Sequence, residues 1–137
     1  MRSILIALAF FTFFQLAGEK TIAQKKDSSE LFTGVPDKDP QFPGGQAAWI
    51  KFIEKYVHPE VASQKNAPAG KYTSIISFLI DSLGNTSDFV VEKDAGFGTA
   101  EEALRVLKRG PKWIPAVVNG RPVPIRKSQS ITFMVSK

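Results

Sequence analysis

The sequence predicts an α+β domain in two layers, with helices packed on one face of a three-stranded antiparallel sheet. Three observations lead there. Trp49, Phe52, Ile53, Tyr56 and Val57 fall at the i, i+3, i+4, i+7, i+8 spacing of one helix face. Two strand-like runs, 72–80 and 86–93, flank the turn DSLGN at 81–85. The chain then closes on SQSITFMVSK, where Ile131, Phe133 and Val135 alternate with more polar neighbours. A chain of 137 residues holds one such domain and not two comfortable cores.

The first 24 residues read MRSILIALAFFTFFQLAGEKTIAQ. Arg2 is a short positive start, Ile4 to Phe14 is apolar apart from Thr12, and small residues precede Gln24. This is the shape of a secretory signal peptide over 1–23, which places the rest of the chain in the periplasm. The alternative is an uncleaved anchor in the inner membrane. The apolar run falls short of the ~18–20 residues that a spanning helix needs. Residues 24–40 are polar with charges of both signs and read as a flexible lead. The domain is expected over 41–137.

Within it, Pro43, Gly44 and Gly45 make a turn into the first helix, whose Lys51, Glu54 and Lys55 fall on the outer face. Pro59 suits the first turn of a short second helix reaching about Gln64. In the strand that follows, Ser74, Ile76, Phe78 and Ile80 share one face, and Thr73, Ile75, Ser77 and Leu79 the other. Both faces are partly apolar, which predicts a central strand. Gly84 is available for a positive φ in the turn. The return strand should turn Phe89 and Val91 inward. Thr99 and Glu102 have capping-box spacing for the next helix, which runs to about Arg109 and buries Ala103, Leu104 and Leu107. Its acids lead and its bases trail, matching the helix dipole. Gly110-Pro111 stops it. Asn119-Gly120 signals a tight turn. Pro115, Pro122 and Pro124 lack amide protons, so 112–124 is not an interior strand along its length.

Composition narrows the function. There is no cysteine and one histidine, His58. Disulfides, thiolate chemistry and histidine metal clusters are therefore out, and no base-oriented nucleophile can be placed. The expectation is a protein that is not an enzyme and carries no cofactor and no metal. Asp81, Asn85 and Asp88 lack the dense oxygen ligands of a calcium loop and read as a hairpin turn. His58 reads as an ordinary residue at a helix junction, and Trp113 as packing against the helices. The net charge is +5, and no acid follows Glu102 while eight bases do. That stretch should attract an acidic partner. Nucleic acid is not expected for an exported chain.

The series FPGG, amphipathic helix, His58-Pro59-Glu60-Val61-Ala62, Gly70, FLIDSLGNTSD, EEALRVLK, PKWIPAVVNGRPV and ITFMV resembles the C-terminal domain of TonB-type energy transducers, in the variety with an FPGG lead-in. The resemblance covers about residues 40–137. It implies helices on a three-stranded antiparallel sheet whose last strand is an edge. In that family the edge captures the short N-terminal box peptide of an outer-membrane receptor as an added strand, the mode called β-augmentation. The capturing strand would be Ser128, Gln129, Ser130, Ile131, Thr132, Phe133, Met134 and Val135. Ser130, Thr132 and Met134 would meet the peptide on one face, and Arg126 and Lys127 would attract its acids.

The chain departs from full-length transducers in having no histidine within 1–24. Its lead would reach at most ~55–60 Å when fully extended. The usual aromatic before Pro59 is His58. The expected role is therefore an accessory to TonB-dependent transport, the receptor-gripping end without the motor-coupled anchor. The alternatives are a membrane-retained transducer-like subunit and a module that only dimerises. The edge has a plainer reading too: residues 24–40 or 112–124, or a second copy, would cover it.

Overall fold

The computed structural model describes residues 30–137, so the signal-like segment 1–23 lies outside the described residues. Along the chain come α1 (Gly45–Tyr56), α2 (Val61–Gln64), β1 (Gly70–Ile80), β2 (Thr86–Lys93), α3 (Thr99–Arg109), β3 (Ala116–Val118), β4 (Arg121–Val123) and β5 (Ile125–Val135). β1, β2 and β5 form one antiparallel sheet in the order β2-β1-β5, and β3 and β4 pair separately. The α+β class and the central place of β1 are as predicted. Among the described residues no helix is long and apolar enough to cross a membrane.

β1 is paired on both edges, and its helix-facing side carries much of the core. Ile76, Phe78 and Ile80 have no exposure. Ser74 is equally buried, and its hydroxyl shares a 2.9 Å hydrogen bond with the Thr99 hydroxyl and accepts from the Ala95 amide. Burying each large apolar side chain stabilises the fold by ~1.5–3 kcal/mol. Phe42, Trp49, Phe78 and Trp113 meet edge to face or tilted, with ring centroids 5.4–5.8 Å apart. Trp113 does pack against the helix layer.

Gly84 is required twice over. Its φ is +86°, and a Cβ there would lie 2.0 Å from the Trp113 carbonyl oxygen. Asp81 completes this hairpin turn by accepting from the Leu83 and Asn85 amides. Burial opposes its ionisation, but the hydrogen bond from the Asn85 side chain, those from the two amides and the charge of Lys112 outweigh it and hold the Asp81 carboxyl below its ordinary pKa.

Three local expectations are corrected. Thr99 and Glu102 do not form a capping box. Gly98, at φ +75°, takes the N-cap position of α3, and the Thr99 hydroxyl instead donates to the Gly96 carbonyl at 2.6 Å. The second helix starts at Val61 rather than Pro59, after a turn in which the Val61 amide donates to the His58 carbonyl. Val91 pairs with Ile76 but stays 42% exposed, because β2 is a sheet edge; Phe89 alone joins the core from this strand, stacked on Phe78. As expected, the proline-rich stretch is not an interior strand: β3 and β4 pair only with each other, in a two-stranded ribbon where Pro122 is tolerated at an edge. Asn119 and Gly120, at φ +50° and +74°, make its turn.

The lead also makes main-chain bonds that its composition did not foretell. Asp37 and Lys38 donate to the Val117 carbonyl, and Gln41 exchanges both main-chain bonds with Ile114.

Candidate functional site

The terminal strand is the part of the molecule built to take something on. All eleven residues of β5 pair with β1 without a register break, from Ile125 opposite Ile80 to Val135 opposite Gly70. Alternation divides them cleanly. Ile131 and Phe133 are buried toward the helices, while Ser128, Ser130, Thr132 and Met134 are exposed on the open face. Burial of the two inner anchors fixes the register, since a slip of one residue would turn both out.

The open face is polar and cross-tied. The Thr132 and Thr73 hydroxyls share a 2.8 Å hydrogen bond, and the Ser128 hydroxyl donates to Glu92 at 3.1 Å. Arg126 reaches across β1. It donates to the Ser77 hydroxyl and the Asp88 carbonyl, and forms an ion pair with the Asp88 carboxylate. Its charge is committed to the far side of the sheet. Lys127, the next residue, turns toward the helices, with Nζ 5.8 Å from the centre of the Trp113 ring.

Among the described residues, the outer edge of β5 is covered at one end only. Phe32 bridges to Ile125 in parallel, its amide donating to the Pro124 carbonyl at 2.8 Å. Among the described residues, no other segment makes a main-chain hydrogen bond to the outer edge of 126–135. Ten residues of strand offer ~33 Å of template.

All eight residues expected to capture a peptide, Ser128 through Val135, lie on this one strand. Arg126 and Lys127 point to opposite faces of the sheet. Sequence reasoning missed a cleft of about 250 Å³ on the helix side of β5, bounded by Gln41, Phe42, Gly45, Gln46, Trp49, Trp113, Lys127 and Gln129. The FPGG turn was its one local signal. Gly44 there has φ +86°, and a Cβ would meet the Ala48 methyl at 2.8 Å.

An ion pair within α3 also ties that helix to the end of α1. Arg105 grips Glu102 through Nε at 2.9 Å and Nη2 at 2.6 Å, and also donates to the Tyr56 carbonyl at the end of α1. Glu102 accepts from the His58 amide at 2.8 Å. Burial of Glu102 opposes its ionisation. The Arg105 and His58 hydrogen bonds and the Arg105 charge outweigh that, so its pKa falls below the ordinary value, while that of Arg105 rises. Among the described residues no group of three or more acidic, histidine or cysteine side chains is placed to hold a metal.

Residues 59–135 match the family described as Gram-negative bacterial TonB protein C-terminal. No curated protein matches the chain.

Proposed function

The chain belongs to the family of Gram-negative bacterial TonB protein C-terminal domains, and from that premise we propose that the β5 edge captures extended peptide segments of outer-membrane receptors by strand addition. The domain is a TonB-like one of TonB-dependent transport. The peptide-level role is supported by one observation above all. Residues 126–135 pair with β1 without a register break, and their outer side, among the described residues, has no main-chain partner beyond the Ile125 end. Main-chain hydrogen bonds to this edge would supply affinity, and pockets beside alternate residues would supply selectivity. The protein acts as an accessory binding domain in the periplasm, after cleavage of residues 1–23.

The deciding experiment is an amide-shift NMR titration of the exported protein with synthetic N-terminal segments of outer-membrane receptors from the same cell. Shifts concentrated in 126–135 are expected. N-methylation of alternate peptide residues, which removes donors without touching the domain, should weaken binding at least ~10-fold, as the loss of several hydrogen bonds requires. A flat titration with a folded monomer defeats the proposal. A flat titration with a concentration-dependent dimer in sedimentation assigns the edge to self-pairing. Intact mass of the exported protein tests the cleavage, and retention of residues 1–23 points instead to a membrane-held subunit.

A further inference from the structure

We propose that the cleft beside β5 receives an acidic side chain of the captured peptide, with Lys127 as its counter-charge. The inference rests on strand capture at β5 and adds the register and the chemistry of one position.

The cleft lies where an added strand would deliver a side chain. Lys127 and Gln129 are alternate residues of β5 on the helix-facing side. Their partners on β1 are Phe78 and Ile76, both without exposure, so the inner side of this stretch is sealed. The open side is the outer edge. A strand laid there places its Cβ atoms ~4.5–5.5 Å from those of the residues opposite, on the same face. A residue opposite Lys127 or Gln129 would therefore project over Phe42, Trp49 and Trp113.

Size and charge select the occupant. At about 250 Å³ the cleft falls below the ~300–1,000 Å³ of sites for whole small molecules and suits one side chain. None of its lining residues is acidic, and its charged member is Lys127. Gln41, Gln46 and Gln129 supply amide donors. The aromatic floor accepts methylenes but does not compete for the ammonium as a carboxylate does. Lys127 is available in a way Arg126 is not: the Arg126 guanidinium is paired with Asp88, while Lys127 rests against the Trp113 ring with no carboxylate within ion-pair distance among the described residues. A glutamate fits this arrangement, its methylenes on the rings and its carboxylate toward Lys127.

The parallel bridge between Phe32 and Ile125 sharpens the register. It occupies the edge immediately before Arg126, so an added strand ends there. The acidic residue is then placed near the end of the peptide that abuts Phe32.

The test uses the receptor segments of the titration above, each with Asp and Glu replaced one at a time by Asn and Gln. One replacement, and only one, should weaken binding by about five- to tenfold, as expected for a part-buried charge pair. Lys127→Gln should cause the same loss with the native peptide and little further loss with the amide variant, because the two changes remove one interaction. If the peptides bind at 126–135 but all amide variants and Lys127→Gln bind equally well, the acidic pocket is wrong and strand capture stands. If no segment binds, both fall. Should Lys127→Gln fail to fold, the peptide series on the unaltered protein still decides.

Discussion

β2 and β5 flank the same central strand, yet β2 meets it with two register breaks and β5 with none. The first break falls where Asp88 and Phe89 lie opposite Phe78, and Asp88 there adopts φ +48°. The second leaves Glu92 as an extra residue opposite the Ile75–Ile76 step. Bulges twist an edge away from incoming strands, and exposed Asp88, Glu92 and Lys93 add charge to it. β5 carries neither device between Ser128 and Val135. The contrast teaches that the fold protects one edge against chance pairing and leaves the other fit for pairing. The Arg126–Asp88 ion pair joins the two strands across the open face and pins the bulge of the protected edge.

The largest expected effect contrasts the core anchorage of the two edges. Phe133→Ala, on the buried side of β5, should cost ~3–5 kcal/mol of unfolding free energy in urea. Val91→Ala, on the same side of the sheet in β2, should stay within ~0.5 kcal/mol. Equal losses would remove the distinction between an anchored and a loosely covered edge.

Acid should separate the helix layer from the hairpin beneath it. The Glu102 pKa is depressed below its ordinary value of 4.5. The stability it contributes is therefore present above that value and is lost as pH falls through the folded pKa. Hydrogen exchange at pH 7 and pH 3, corrected for intrinsic rates, should show α1 and α2 losing protection more than the β1–β2 pairing. Glu102→Gln should be less stable at pH 7 and lose less on acidification. An unchanged pH dependence in that variant would transfer the effect to other carboxylates.

Asp88→Asn probes the protected edge with a smaller change. The ion pair is part-exposed, so its loss should cost under ~1 kcal/mol in urea. Freed from Asp88, Arg126 should raise the association rate of an acidic receptor segment at low salt, in stopped-flow measurements, with the gain fading at high salt. A gain that persists at high salt would argue for a rearranged edge instead.

Much of the fold was legible because it is written locally. The stripe from Trp49 to Val57, the DSLGN turn and the Asn119-Gly120 turn each declare themselves within a few residues. The capping-box reading failed because Thr-x-x-Glu spacing says nothing of Gly98, which takes the N-cap and leaves Glu102 to reach His58, 44 residues away. The bulges of β2 were invisible for a similar reason. The run Phe89-Val90-Val91 blurs the alternation of its sequence, and the breaks exist only in the pairing with β1. The cleft combines residues near 42, 113 and 128 of the chain, and no local pattern announces such a meeting.

The sequence by itself determined that β5 has a core side and a polar side, since alternation with a period of two is a property of the strand alone. It determined equally that no acid follows Glu102, which leaves residues 103–137 cationic. Only the tertiary structure decided which edge strand pairs without a register break, that among the described residues Phe32 covers no more of β5 than its start, and that Arg126 is spent on Asp88 while Lys127 faces the cleft. Those outcomes depend on hydrogen bonds and charge pairs between residues far apart in sequence, and such partners are chosen by how the layers pack.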